Sequence, residues 1–188
     1  MADRIRKLIP SGVAKRFRSG GVSVATAHDV AAYILSVRGP MSAMKLQKLL
    51  YYSQAWHLVW DEHPLFAEPI EAWANGPVVP AVYAEHRSQF IVADWAHGDP
   101  GSLTAAEQET VDVVLDFYGG LDARKLSHLT HAEAPWQDAR AGLHPTERST
   151  NVITHAAMHE YYGSLDAAEE AVPVDQLTWD GWGAPATA

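Results

Sequence analysis

One segment constrains the fold of this chain more than any other: the apolar and aromatic stretch between residues 42 and 60. Ser42 is a residue type that caps helix N-termini, and apolar or aromatic side chains then recur at intervals of three and four residues. The spacing predicts a long helix with one face in a core. Lys45, Lys48 and Gln54 are expected to lie largely off that face. The positions on it are Leu46, Leu49, Leu50, Ser53, Trp56, His57 and Trp60.

Capping signals and helix breakers predict several further helices. Thr26 with Asp29, and Thr104 with Glu107, have the spacing of capping boxes, and Gly39-Pro40 ends the first of these helices. Shorter helices are expected from Pro80 to about Arg87, from Asp122 to about His131, at Pro135, and from Thr154 to Tyr162, with two short strands or extended segments at Leu65–Phe66 and Ile70–Trp73. The predicted fold class is mainly α (α+β): a compact bundle of six or seven helices with a small antiparallel β element.

The net charge of -9 is unevenly distributed along the chain. Residues 1–18 hold six basic residues and one acidic residue, a net of +5, whereas residues 149–188 hold six acidic residues and no lysine or arginine, a net of -6. Such asymmetry is typical of terminal segments with a separate role. We therefore divide the chain into a basic N-terminal arm (1–22), a central domain (23–163) and an acidic, tryptophan-containing C-terminal tail (164–188).

Composition excludes several classes of protein. The 188 residues include no cysteine, which rules out disulfides, thiolate zinc sites and thiol nucleophiles and fits a reducing compartment, so we expect a cytoplasmic protein. No apolar run approaches the ~18–20 residues that span a bilayer, and the basic N-terminus lacks the apolar stretch of a secretory signal. We expect no membrane association, and nucleic-acid binding only through the basic arm, because the rest of the chain is acidic.

Candidate catalytic and metal-binding patterns are weak. His155 and His159 share a helix face, but Ala156 stands where a zinc peptidase motif would place its glutamate. No serine-nucleophile or phosphate-binding pattern is present. We therefore predict no catalytic residues, no metal and no cofactor, so not an enzyme. A metal-dependent hydrolase using the two histidines is kept as an alternative.

The order and spacing of three sequence blocks resemble one known family. The blocks are KLQKLLYYSQAWH at residues 45–57, EAWANGPVVPAVY at 71–83, and LTH followed by E, PW and AR between 129 and 140. Over about residues 26–162 the chain is similar to the Panacea domain, the SocA-like or phage-associated GepA-like antitoxin family. The resemblance implies a toxin-antitoxin system in which the protein neutralises a toxin encoded beside it by direct protein binding.

The resemblance also implies partners and residue roles. The expected partner is a cognate protein toxin, and a SocA-like member acts as an adaptor that delivers its toxin to an ATP-dependent protease, which is an alternative function here. The oligomeric state is left open, a homo-oligomer included. Family-motif positions expected to be structural are Leu46, Gln47, Leu49, Tyr51, Trp56, Trp73, Gly76, Pro77, Val78, Tyr83, His131, Pro135 and Trp136.

Five residues are candidates for contact with the partner: Lys45, Lys48, Tyr52, Trp179 and Trp182. The lysines stand out in an acidic chain, and tryptophans are frequent anchors at protein interfaces. Alternatives stay open for each. The lysines could be solvated or could pair with an internal carboxylate such as Glu71, and the two tryptophans could pack on this domain's own surface.

Overall fold

The computed structural model describes residues 25–167, and the basic arm and most of the acidic tail lie outside the described residues. Within this range there are seven α-helices, one 3-10 turn and four short strands. The helices are α1 (Ala27–Arg38), α2 (Ala43–Asp61), α3 (Pro80–His86), α4 (Ala105–Tyr118), α5 (Ala123–Ala132), α6 (Ala134–Ala139) and α7 (His155–Ala167), and the turn is Pro100–Ser102. The strands are β1 (Met41–Ser42), β2 (Glu71–Trp73), β3 (Gly76–Val78) and β4 (Ile91–Val92).

The strands form two separate antiparallel pairs. β2 and β3 make a tight hairpin in which Glu71 lies opposite Val78. β1 pairs with β4, with Met41 opposite Val92 and Ser42 opposite Ile91. The predicted mainly α fold with a small antiparallel β element is confirmed.

Helix α2 is the centre of the domain, since α1, α4, α5 and α7 all pack against it. Its Leu46, Leu49, Leu50 and Trp56 are fully buried. Because helices surround α2, the prediction that Lys48 and Gln54 lie off a single buried face is wrong: both side chains are buried. A helix enclosed by neighbours has no solvent face, so its polar residues need partners inside the protein.

Helix boundaries follow the capping chemistry that the sequence predicts. Thr26 and Thr104 form complete capping boxes with Asp29 and Glu107. Asp122 caps α5 by accepting a hydrogen bond from the Lys125 N–H. Each cap satisfies backbone donors that no intrahelical carbonyl can reach.

Two local expectations need correction. Leu65–Phe66 is not a strand: Gln54 Oε1 accepts hydrogen bonds from both backbone N–H groups, at 2.9 and 3.1 Å, and holds the segment against α2. Helix α7 continues past Gly163 to Ala167, so it crosses the position at which we placed the start of the tail. A Cβ at Gly163 would meet no atom within 4 Å, so no close neighbour requires a glycine here.

Within residues 25–167, no helix combines the length and the apolar character that are needed to cross a bilayer.

Candidate functional site

The β2–β3 hairpin is held from α2 by two buried polar side chains. Gln47 Oε1 accepts a hydrogen bond from the Val79 N–H at 2.8 Å. Lys48 Nζ donates to the Pro77 carbonyl at 2.9 Å. Because both contacts are made to the backbone, they fix the path of the chain through β3 whatever side chains it carries.

Side chains of α5, of α6 and of the residue that follows α6 make three similar contacts with the hairpin. Ser127 Oγ of α5 donates to the Asn75 carbonyl at 3.2 Å, and Trp136 Nε1 of α6 donates to the Trp73 carbonyl at 3.0 Å. Arg140, just after α6, donates to the Ala72 carbonyl at 2.9 Å. Five backbone groups between residues 72 and 79 are thus bound by side chains from outside, and we call residues 71–79 the clamped hairpin.

Arg140 also ties the clamped hairpin to the following loop. Its second terminal nitrogen lies within 3.2 Å of the carbonyls of His144, Pro145 and Glu147. The guanidinium carbon lies 5.3 Å from the centre of the Trp136 ring, in cation–π range. A buried arginine that donates to four carbonyls is satisfied without a carboxylate partner.

Lys48 is fully enclosed beneath the turn of the hairpin. Burial lowers the pKa of its ammonium to about 7. Gly76 makes this packing possible, since a Cβ at that position would lie 2.8 Å from Lys48 Nζ and 2.9 Å from Thr130 Oγ1. The φ of Gly76 is +99°, which L side chains rarely adopt, so both geometry and conformation require glycine.

His131 packs beside this cluster as a neutral ring. It stacks on Trp136 with ring centres 4.1 Å apart. Burial, reinforced by the charge of Lys48, lowers the pKa of His131 to about 4. The imidazole therefore acts as an aromatic packing element near neutral pH.

Three partly exposed aromatic rings lie at or beside the hairpin. Trp73 and Tyr83 meet edge to face at 4.7 Å, and both are partly exposed, as is Trp136. The Trp73 indole is oriented by a 2.7 Å hydrogen bond to Glu71. We call Trp73, Tyr83 and Trp136 the hairpin face. Rigid aromatics of this kind are the side chains that most often anchor protein interfaces.

A second buried polar cluster lies deeper, around Glu133. Its two carboxyl oxygens accept hydrogen bonds from Tyr52, at 3.1 Å, and from Tyr162, at 2.7 Å. Burial raises the pKa of Glu133 to about 8, although both hydroxyls act in the opposite direction. Tyr118 stacks on Tyr52 at 3.9 Å and accepts a hydrogen bond from Trp56. The cluster joins α2, α4 and α7 at their common centre.

The predicted partner-contacting residues are found in different environments. Tyr52 and Lys48 are buried, so their predicted contact with a partner does not fit the structure. Lys45 is partly exposed, and its ammonium donates to the Gly119 carbonyl at 2.6 Å. Neither lysine pairs with Glu71, which is bound to Trp73 instead. Trp179 and Trp182 lie outside the described residues, so their role stays a prediction.

The residues expected to be structural all have defined positions. Leu46, Leu49, Tyr51 and Trp56 belong to the core, Gly76, Pro77 and Val78 are buried in the hairpin, and Pro135 is buried at the start of α6. Gln47 and His131 hold or flank the hairpin, and Trp73, Tyr83 and Trp136 make up the hairpin face.

The two histidines of the hydrolase alternative do not form a metal site with their surroundings. His155 Nε2 lies 3.0 Å from Gln54 Nε2, and His159 is exposed on α7. Across residues 25–167, no three histidine, aspartate or glutamate side chains are arranged to bind a metal ion together.

The sequence did not predict the hairpin contacts of Ser127 and Arg140, or the buried hydrogen-bond cluster around Glu133. The partners of these three residues lie 52, 68 and 81 positions away along the chain. The sequence contained one signal of these roles: in the third block of the resemblance, Glu133 and Arg140 stand close to apolar or aromatic residues.

Comparison with known proteins identifies the central part of the domain. Residues 46–137 match the family described as antitoxin SocA-like, Panacea domain. This range includes the clamped hairpin and four of the five side chains that bind its backbone, Arg140 being the fifth. No curated protein and no solved structure matches the chain.

Proposed function

Because the domain that carries the clamped hairpin belongs to the SocA-like Panacea antitoxin family, we propose that this protein neutralises a toxin encoded beside it by direct binding. The family match is the observation that carries the proposal. The role is one of binding rather than catalysis, and the expected partner is a cognate protein toxin.

The hairpin face supports this proposal because it has the composition and the rigidity of a binding surface. Trp73, Tyr83 and Trp136 supply large, partly exposed rings. The five backbone contacts hold the hairpin in one shape before any partner arrives, which lowers the entropy cost of association. We propose that the toxin contacts this face.

Co-expression with the neighbouring gene tests the proposed function. We expect the neighbouring gene alone to arrest growth, and this protein to restore growth and to co-purify with the gene product. A neighbour that is harmless alone, or that remains lethal in the presence of this protein, would contradict the proposal.

Variants then test the hairpin face separately. Trp73→Ala together with Tyr83→Ala should weaken protection and complex formation, while His159→Ala, an exposed change on α7, should leave both unchanged. Equal protection by all three proteins would place the toxin contact elsewhere. The half-life of the toxin, measured with and without an ATP-dependent protease, separates simple binding from delivery for degradation.

A further inference from the structure

An exposed apolar corner lies where β1 and α2 meet β4, away from the contacts described above. Phe90 is 82% exposed, Ile91 50% and Met44 41%. They are three of the five large apolar side chains that are exposed within residues 25–167. A hydrogen bond from the Ala43 N–H to the Phe90 carbonyl, at 3.0 Å, and the pairing of Ser42 with Ile91 bring them together. We call these three residues the apolar corner.

Contact of apolar side chains with water is unfavourable in free energy, and an exposed apolar surface often marks a binding site. Phe90 is the most exposed of the five, and it follows a tight turn in which the Gln89 N–H bonds to the His86 carbonyl at 2.9 Å. Ser88 in that turn has a φ of +71°, which is uncommon for a residue other than glycine. The turn therefore holds Phe90 in the solvent.

The charge around the apolar corner differs from that of the domain as a whole. Residues 25–167 contain 18 acidic and eight basic residues, yet Lys45 adjoins Met44 and Arg87 precedes Phe90 by three residues. Asp122 and Arg38 interact electrostatically with Lys45, and Arg38 is paired with Asp116 at 2.7 Å. Within the described part of the chain the Arg87 guanidinium has no hydrogen bond or ion pair, so it is a cation near the corner that is not already paired.

The chain itself contains a segment with complementary chemistry. Residues 168–188 hold Trp179, Trp182 and Leu177, four acidic residues, and no lysine or arginine. Most of the domain is acidic and repels a segment with this charge, which is attracted only to a part of the surface that carries basic side chains. Its aromatic side chains match the apolar character of Phe90 and Ile91.

The length of chain after α7 allows the contact. Trp179 follows Ala167 by 12 residues, which span up to about 40 Å when extended. A compact domain of this size has a radius of gyration of about 15 Å, so the reach covers the whole domain. We propose that the C-terminal segment, through Trp179 and Trp182, docks on the apolar corner of its own chain.

Site-specific photo-crosslinking tests this proposal on the full-length chain. With Phe90→benzoylphenylalanine, illumination of dilute protein should link position 90 to a peptide within residues 168–188 in the monomer band. Val152→benzoylphenylalanine is the matched control, because Val152 is also an exposed apolar residue but lies outside the corner, and it should give no such peptide.

Two further variants establish which groups carry the contact. Trp179→Ala with Trp182→Ala should abolish the crosslink from position 90, and Arg87→Gln should reduce its yield several-fold, whereas Gln176→Ala should leave it unchanged. A crosslink between two chains would overturn the proposal in favour of self-association. A crosslink at position 90 to no part of residues 168–188 would overturn it outright.

Discussion

At the scale of single residues, two buried ionisable groups explain most of what is unusual in this domain. Lys48 and Glu133 are each enclosed without an opposite charge as a hydrogen-bond partner. Burial moves their pKa values in opposite directions, to about 7 and about 8. The interior is therefore nearest to neutral between those two values, where the unfavourable charged forms are least populated.

Glu133→Gln tests the acidic member of this pair. The pKa of Glu133 in the folded state, about 8, lies above the ordinary value of 4.5. The contribution of this group to the free energy of unfolding is therefore fully present below about pH 4.5 and is lost as the pH rises through 8. The contribution of Glu133 to the unfolding free energy should fall by up to about 1 kcal/mol per pH unit between pH 5 and 7. The lowered pKa of His131 acts in the opposite direction below about pH 6.5, equally in the native protein and in the variant, so the difference between their slopes reports Glu133. The variant should lose the part of the slope that Glu133 contributes.

Urea unfolding at pH 5, 6 and 7 measures the slope, and Glu160→Gln, an exposed change on α7, is the control that should retain it. The window avoids Lys48, whose lowered pKa makes the native state gain stability only as the pH rises from about 7 to 10.5. Equal slopes for native protein and Glu133→Gln would contradict a neutral Glu133.

Gly76→Ala should be strongly destabilising. The new methyl group would lie 2.7 Å from Lys48 Cε, at a φ of +99°, and we expect a loss of about 3 kcal/mol from clash and backbone strain together. Thermal or urea unfolding measures the loss. Gly163→Ala, with open space around it in α7, should instead be neutral or stabilising by about 0.5–1 kcal/mol.

A double-mutant cycle then isolates the lysine. In a Lys48→Ala background the cost of Gly76→Ala should be smaller, because the closest atoms of the clash are gone while the strain in φ remains. Identical costs in the two backgrounds would show that Lys48 does not fill the space beneath the turn.

At the scale of elements, the capping and helix-breaking residues of the sequence predict the helices well, but they predict the tertiary contacts poorly. Thr26, Thr104 and Asp122 cap the helices that the sequence assigned to them, because capping depends on residues three positions apart. The β1–β4 pair was not predicted, because two-residue strands have no measurable alternation. The burial of Lys48 was not predicted either, because periodicity assumes that a helix has a solvent side.

Arg140→Met tests the hairpin at this scale. Removing the guanidinium leaves the buried Ala72 carbonyl without its side-chain donor and breaks three part-buried hydrogen bonds to the following loop. The unfolding free energy should fall by about 1–3 kcal/mol, mainly because of the buried carbonyl. Amide exchange in residues 70–79 should accelerate in the same variant. Arg124→Met, an exposed change on α5, should alter neither measurement, and a similar effect of both substitutions would contradict the clamping role.

At the scale of the whole molecule, the division into arm, domain and tail stays a proposal. The described residues begin at Ala25, whose side chain is buried, one residue before the cap of α1. The sequence predicted the domain from composition and from a family resemblance, and the match over residues 46–137 confirms that resemblance. It could not locate the partner surface, because that surface depends on which rings the fold leaves exposed.

Deletion of residues 1–22 should leave the domain folded. Since α1 carries its own capping box and the periodic helical pattern of the sequence starts only at Thr26, we expect the melting temperature to change by less than about 2 °C, well below the 4–8 °C that corresponds to 1 kcal/mol in a small domain. Calorimetry of the two proteins measures the change. A fall of many degrees would show that the arm packs against the domain.

The way in which the hairpin is held also bears on how such a protein can diversify. The hydrogen bonds that Gln47, Lys48, Ser127, Trp136 and Arg140 make with the hairpin all end on main-chain atoms. Outward side chains of the hairpin can therefore be exchanged by mutation while its shape is retained. As with the framework beneath an antibody loop, the backbone shape can be retained while the side chains that determine specificity change. Positions 71, 73 and 75 are therefore suitable sites for a library selected against new partners.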